Sequence, residues 1–174
     1  MSFPYTKDCK CKKLKEPDPF PAHTVTSLYR CLLAEQTENE AAIYVSKTAG
    51  YHELWETYQY IRDVKGQTPM VIDSDDNLLY DPATTMKKFC DFAGFEFKES
   101  MLHWKPGPVE GWSWPFAGDW YSSVMNSSGF VTHEVHDKAS QVDVGSYPEL
   151  IQKTIRDSEL YYEKLYNLRT KPSS

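Results

Sequence analysis

The sequence predicts an α/β domain, helix-rich with a short, incomplete parallel sheet, and three observations carry that expectation. Residues Pro69 to Leu102 read in order as a buried strand, an acidic turn and a capped helix. Further amphipathic helices flank this block on both sides. Only one strand is well marked, so its backbone donors and acceptors need partners that the rest of the pattern barely supplies.

The elements follow in chain order. From Thr24 to Ala34, Val25, Leu28, Leu32 and Leu33 fall near one face and predict a short helix. Thr37 to Thr48 is open, with an acidic start and a possible extended run over Ala42 to Val45. Tyr51, Leu54, Trp55, Tyr58 and Ile61 trace one stripe, which predicts a helix from Tyr51 to Lys65 ended by Gly66. The unalternated apolar run Met70, Val71 and Ile72 suits a strand covered on both faces. After the turn Asp73 to Asn77, Asp81 can cap a helix with Pro82 at its first position. Met86, Phe89, Cys90 and Ala93 would be its buried face and Gly94 its stop.

Met101 to Gly145 holds Trp104, Trp112, Trp114 and Trp120 among glycines and prolines and has no sustained period, so it reads as a long ordered loop. Its tryptophans either make functional contacts or fasten the loop to the body. Ser146 and Glu149 match the S-x-x-E capping box and predict a final helix from Tyr147 to Leu168. Partners for the lone strand come either from Ala42 to Val45 and the leader, or from a longer parent protein.

The chain has 174 residues, 40% of them hydrophobic and 25% charged, which suits one folded domain rather than disorder. A formal charge of -6 argues against a nucleic-acid or anionic-membrane partner. Residues 1–22 read as a divergent, flexible leader and 23–170 as the body. No apolar run is long enough for a membrane span or a signal core, which favours a cytoplasmic setting. Cys31 and Cys90 sit on apolar helical faces as small core residues, while Cys9 and Cys11 form a lone CxC pair.

Catalytic signatures are sparse. No G-x-x-x-x-G-K-[ST] loop, G-x-G-x-x-G turn or G-x-S-x-G elbow occurs. His133 and His136 have the wrong spacing for a zinc helix, and Asp73, Asp75 and Asp76 read as capping and solvated rather than as a cation site. No metal is expected.

Four stretches, TVTSLYR (24–30), GYHELWETYQYI (50–61), VIDSDDNLLYDPATTMKKFCDFAGFEFKESML (71–102) and WKPGPVEGWSW (104–114), occur in an order that resembles the C-terminal half of a P-loop sulfotransferase. The resemblance covers about 23–130 and implies a partial P-loop sulfotransferase-type domain. It also implies 3'-phosphoadenosine 5'-phosphosulfate (PAPS) as cofactor and sulfuryl transfer to a hydroxyl or amine acceptor, a small molecule or a biopolymer. Ser27 falls on the family's 3'-phosphate serine, near an expected helix start, and Lys105 and Gly107 on a basic-glycine element that touches the same phosphate. Upstream the pattern departs: Pro19 stands where the family has an arginine. The phosphosulfate loop and the usual catalytic histidine have no counterpart.

The resemblance therefore implies a sulfotransferase-like chain with weak or absent cofactor binding and no catalytic residue assigned. The alternative is a non-catalytic interaction protein or truncated isoform that binds a partner or self-associates through an exposed sheet edge.

Overall fold

The computed structural model describes residues 20–108, 121–130 and 142–171. Among them the fold is helical: α1 (Phe20–Leu32), α2 (Glu38–Thr48), α3 (Tyr51–Gln59), α4 (Pro82–Ala93), a single turn α5 (Ser122–Met125) and α6 (Glu149–Asn167). A π-helical turn, Tyr60–Val64, extends α3, and a second, Ser74–Leu79, precedes α4.

The core lies where α1, α2 and α3 pack on α6. Val25, Val45, Ile151 and Ile155 are almost wholly buried there, with Ala22, Ala41, Ala42, Tyr29, Leu32 and Tyr51 around them. Edge-on contacts of Tyr29 with Tyr147 and Tyr51 with Tyr162 close its rim. Thr26, fully buried in mid-helix, satisfies its hydroxyl by donating to the Ala22 carbonyl at 2.7 Å.

Several expectations change. Helix α1 starts at Phe20 rather than Thr24, because Pro21 is tolerated within a first turn. Ala42 to Val45 is helical, not extended: Thr37 and Glu40 form a reciprocal capping box, and Ala41, Ala42 and Val45 turn inward at helical spacing. The Ser146–Glu149 box does not form. Pro148 occupies the cap position of α6, and Ser146 donates to the Asp143 carbonyl instead.

Met70 to Ile72 forms no strand, and no sheet occurs among the described residues. The segment is half-buried, and the Val71 carbonyl accepts the Thr170 N–H at 2.8 Å, so the C-terminal tail takes the place of a neighbouring strand. On α4, Asp81 caps Thr84 N at 3.0 Å and Gly94 ends the helix at φ +75° as expected. Of its expected buried face only Cys90 is fully covered, beside Thr85. Phe89 and the neighbouring Phe92 and Phe95 are exposed.

Candidate functional site

The acidic turn is built into the fold. Asp73 is 8% exposed, and its Oδ1 accepts Asp75 N and Asp76 N at 3.0 and 2.8 Å. Its Oδ2 accepts the Tyr162 hydroxyl at 2.9 Å. Asn77 Oδ1 accepts Asp73 N, Asn77 Nδ2 donates to the Thr170 carbonyl, and Thr85 donates to the Asn77 carbonyl. Asp76 Oδ2 receives both the Tyr166 hydroxyl and Arg169, whose guanidinium lies 3.5 Å over the Tyr166 ring.

This network ties the turn to α6. Burial, then the bond to Asp73, pushes the Tyr162 phenol above its ordinary range. For Tyr166 the bond to Asp76 leads and burial follows. The carboxylates act as caps and acceptors, and no cluster able to hold a metal occurs among the described residues. The pairs Cys9/Cys11 and His133/His136 lie outside those residues, as do Trp112, Trp114 and Trp120.

Beside this turn, at the start of α4, is a cavity of about 470 Å³ whose wall includes Tyr80, Asp81, Leu102, His103, Ser128 and Phe130. Two distant segments make it. His103 and Gly129 form an isolated antiparallel bridge, Trp104 N donates to the Ser128 carbonyl at 3.1 Å, and Gly107 N donates to the Met125 carbonyl at 2.7 Å. Trp104 fastens the pair, donating from Nε1 to Ser127 Oγ at 3.0 Å and packing edge-on against Phe130. A Cβ at Gly129 would lie 2.9 Å from the Leu102 carbonyl oxygen and 3.3 Å from His103 Nδ1, so the close approach requires glycine there.

The polar groups of the wall differ in availability. Asp81 is committed to the α4 cap, and its bonds to Thr84 hold its carboxyl below the usual range. Ser127 donates to the Val124 carbonyl while accepting from Trp104. The His103 ring and the Ser128 hydroxyl make no hydrogen bond among the described residues.

Lys105 lies two residues beyond His103 and is exposed. Gly107 has φ +126°, a left-handed conformation that keeps a side chain out of the loop. Ser27 lies exposed in the middle of α1, not at a helix start, because α1 begins seven residues earlier. Neither His103 nor Ser128 carried a sequence signal, since their meeting depends on pairing between segments separated by the tryptophan-rich stretch.

Residues 59–146, half of the chain, match the sulfotransferase domain family. Two relatives from Arabidopsis thaliana share sequence with it. The branched-chain-amino-acid aminotransferase-like protein 1 is 36% identical over 52% of this chain and 15% of its own length. The branched-chain-amino-acid aminotransferase-like protein 2 is 39% identical over 37% of this chain and 11% of its own length. This chain thus spans only a small part of the curated relatives it matches. No solved structure matches it significantly. The acidic turn, α4, the cavity, Lys105 and Gly107 all fall within the matched stretch, and the chain belongs to the sulfotransferase domain family.

Proposed function

We propose that this chain forms the C-terminal part of a domain that moves the sulfuryl group of PAPS to a hydroxyl or amine acceptor. The observation that carries the proposal is the family match over 59–146, the stretch that also holds the cavity and the Lys105–Gly107 segment. In this reading Lys105, Gly107 and Ser27 face the cofactor's 3'-phosphate. Lys105 supplies an exposed ammonium, Gly107 lets the phosphate approach the backbone, and Ser27 offers an exposed hydroxyl. Little covalent work falls to the protein in such a transfer, and positioning with charge neutralisation carries it.

Residues 1–174 contain no glycine-rich phosphate loop. A charge-assisted hydrogen bond contributes roughly 1.5–3 kcal/mol, so a site short of three such bonds binds at least roughly a thousandfold more weakly. The polypeptide by itself therefore binds the cofactor in the millimolar range and turns over no sulfuryl donor. A cytoplasmic setting belongs to the same proposal, in keeping with free thiols at Cys31 and Cys90. Among the described residues no helix is long and apolar enough to cross a membrane.

The test is an incubation of the chain with PAPS and a phenolic acceptor, read by mass spectrometry, beside a titration with adenosine 3',5'-bisphosphate. Saturable binding without sulfated product is expected. Efficient turnover would overturn the incompleteness, and absence of binding at millimolar ligand would overturn the cofactor reading.

One observation favours a second reading, a non-catalytic partner-binding protein: Phe92 near the end of α4 and Phe95 just past its Gly94 stop are 60% and 64% exposed. With no sheet among the described residues, this apolar surface rather than a sheet edge would mediate self-association. Light scattering separates the readings. Oligomers without a nucleotide response support the second, and a monomer with bisphosphate affinity supports the first.

A further inference from the structure

We propose that Trp104 and Ser127 are positioning residues for the Lys105 ammonium. Through one shared hydrogen bond they hold the backbone around Lys105 in the place from which its side chain meets a phosphate. The role rests on the reading above, in which Lys105 faces the cofactor's 3'-phosphate.

Lys105 lies on a short arc that is pinned at both ends. Before it, Trp104 N donates to the Ser128 carbonyl at 3.1 Å, and after it, Gly107 N donates to the Met125 carbonyl at 2.7 Å. Only Lys105 and Pro106 lie between these bonds. The Pro106 ring fixes its own φ and keeps the preceding residue out of the helical region, so the Lys105 backbone has little freedom left. Lysine is a point charge on a flexible stem, and the position of its Cα decides where the ammonium can be delivered.

A side-chain relay ties the two pins to one support. Trp104 Nε1 donates to Ser127 Oγ at 3.0 Å, and Ser127 gives its own proton to the Val124 carbonyl at 2.8 Å. A hydroxyl has one proton, so committing it to Val124 turns the lone pairs toward the indole. The relay thus ends on the residue next to Met125, the acceptor of the Gly107 bond, and both lie in α5. Edge-on packing against Phe130, with ring centroids 5.3 Å apart, fixes the Trp104 ring. Lys105 contributes its charge, whereas Trp104 and Ser127 decide where that charge stands, an ordering made before the ligand arrives.

The experiment is a ¹H–¹⁵N NMR titration of the full chain with adenosine 3',5'-bisphosphate. Trp104→Phe, which keeps a ring but loses the N–H, and Ser127→Ala should each weaken binding about threefold or more. The double variant should be no weaker than the poorer single one, because both substitutions remove the same bond. Ser127→Thr keeps the hydroxyl and should bind within about twofold of wild type. Thr37→Ala, which removes a helix cap remote from the arc, controls for lost stability and should bind like wild type. Wild-type affinity in Trp104→Phe and Ser127→Ala, failure of Ser127→Thr to rescue, or an equal loss in Thr37→Ala overturns the positioning role. Weakened binding in Lys105→Ala then leaves the cofactor reading standing. No saturable shift in wild type, or undiminished affinity in Lys105→Ala, overturns that reading and the positioning role with it.

Discussion

The Tyr162 hydroxyl donates to Asp73 Oδ2 at 2.9 Å, joining the final helix to the acidic turn across 89 positions of sequence. Tyr162 lies outside the family-matched stretch and Asp73 inside it, so α6 completes that stretch rather than decorating it. Tyr162→Phe should lower unfolding free energy by about 1.5–2 kcal/mol, the contribution of a partly buried hydrogen bond to a charged group. Asp73→Ala should cost more, about 3 kcal/mol, because it also strands Asp75 N and Asp76 N. Urea unfolding measures both. Equal stability of wild type and Tyr162→Phe would contradict the tie.

Alkaline pH should loosen the same junction. Tyr162 and Tyr166 bind their protons more tightly folded than unfolded, so their contribution is complete below the ordinary tyrosine value of 10.0. It is lost as pH rises from there through the folded values. Stability measured between pH 8 and 11 should fall above pH 10, and the fall should be shallower in the double Tyr162→Phe, Tyr166→Phe variant.

Capping gives a paired prediction. Thr37→Ala removes the hydroxyl that accepts Glu40 N and donates to the Glu40 carboxylate, and should destabilise the protein by about 1 kcal/mol. Ser146→Ala should change stability by less than about 0.5 kcal/mol, since Ser146 is an exposed donor outside the α6 cap. Thermal unfolding of the two variants decides between the motif as spelled and the cap as built.

Gly129→Ala should displace the bridge to His103. The added methyl meets a backbone oxygen at 2.9 Å, a contact relieved only by moving one of the paired segments. Overpacking of this kind costs about 1–3 kcal/mol. Chemical-shift changes confined to Leu102–Gly107 and Met125–Phe130, with a lower melting temperature, would be the signature.

These contrasts show what the sequence made legible. Helix α4 was readable because Asp81, Pro82 and Gly94 each have one strong local preference, and all three agree. Helix α3 was readable from its aromatic stripe, although its last turn widens to a π-helix. Local letters misled where a neighbour took precedence. Thr37-x-x-Glu40 formed a box that the apolar run Ala42 to Val45 obscured, whereas Ser146-x-x-Glu149 matched the pattern but has Pro148 at the cap. The strand reading of Met70 to Ile72 failed for a physical reason: strands require partners, and the tail around Thr170 supplies one hydrogen bond rather than a ladder. Of the site residues, Lys105 and Gly107 come from the family resemblance alone, with no local pattern marking them. The cavity was not legible in the sequence, because His103 and Gly129 meet only through long-range pairing.

The measurement that bears most directly on the central claim is calorimetric titration of the chain with adenosine 3',5'-bisphosphate, repeated with Lys105→Ala. A sulfotransferase-family segment that faces the 3'-phosphate through Lys105 predicts saturable millimolar binding, weakened about tenfold or more by the substitution. No binding heat at millimolar ligand, or equal heats for both proteins, would contradict it.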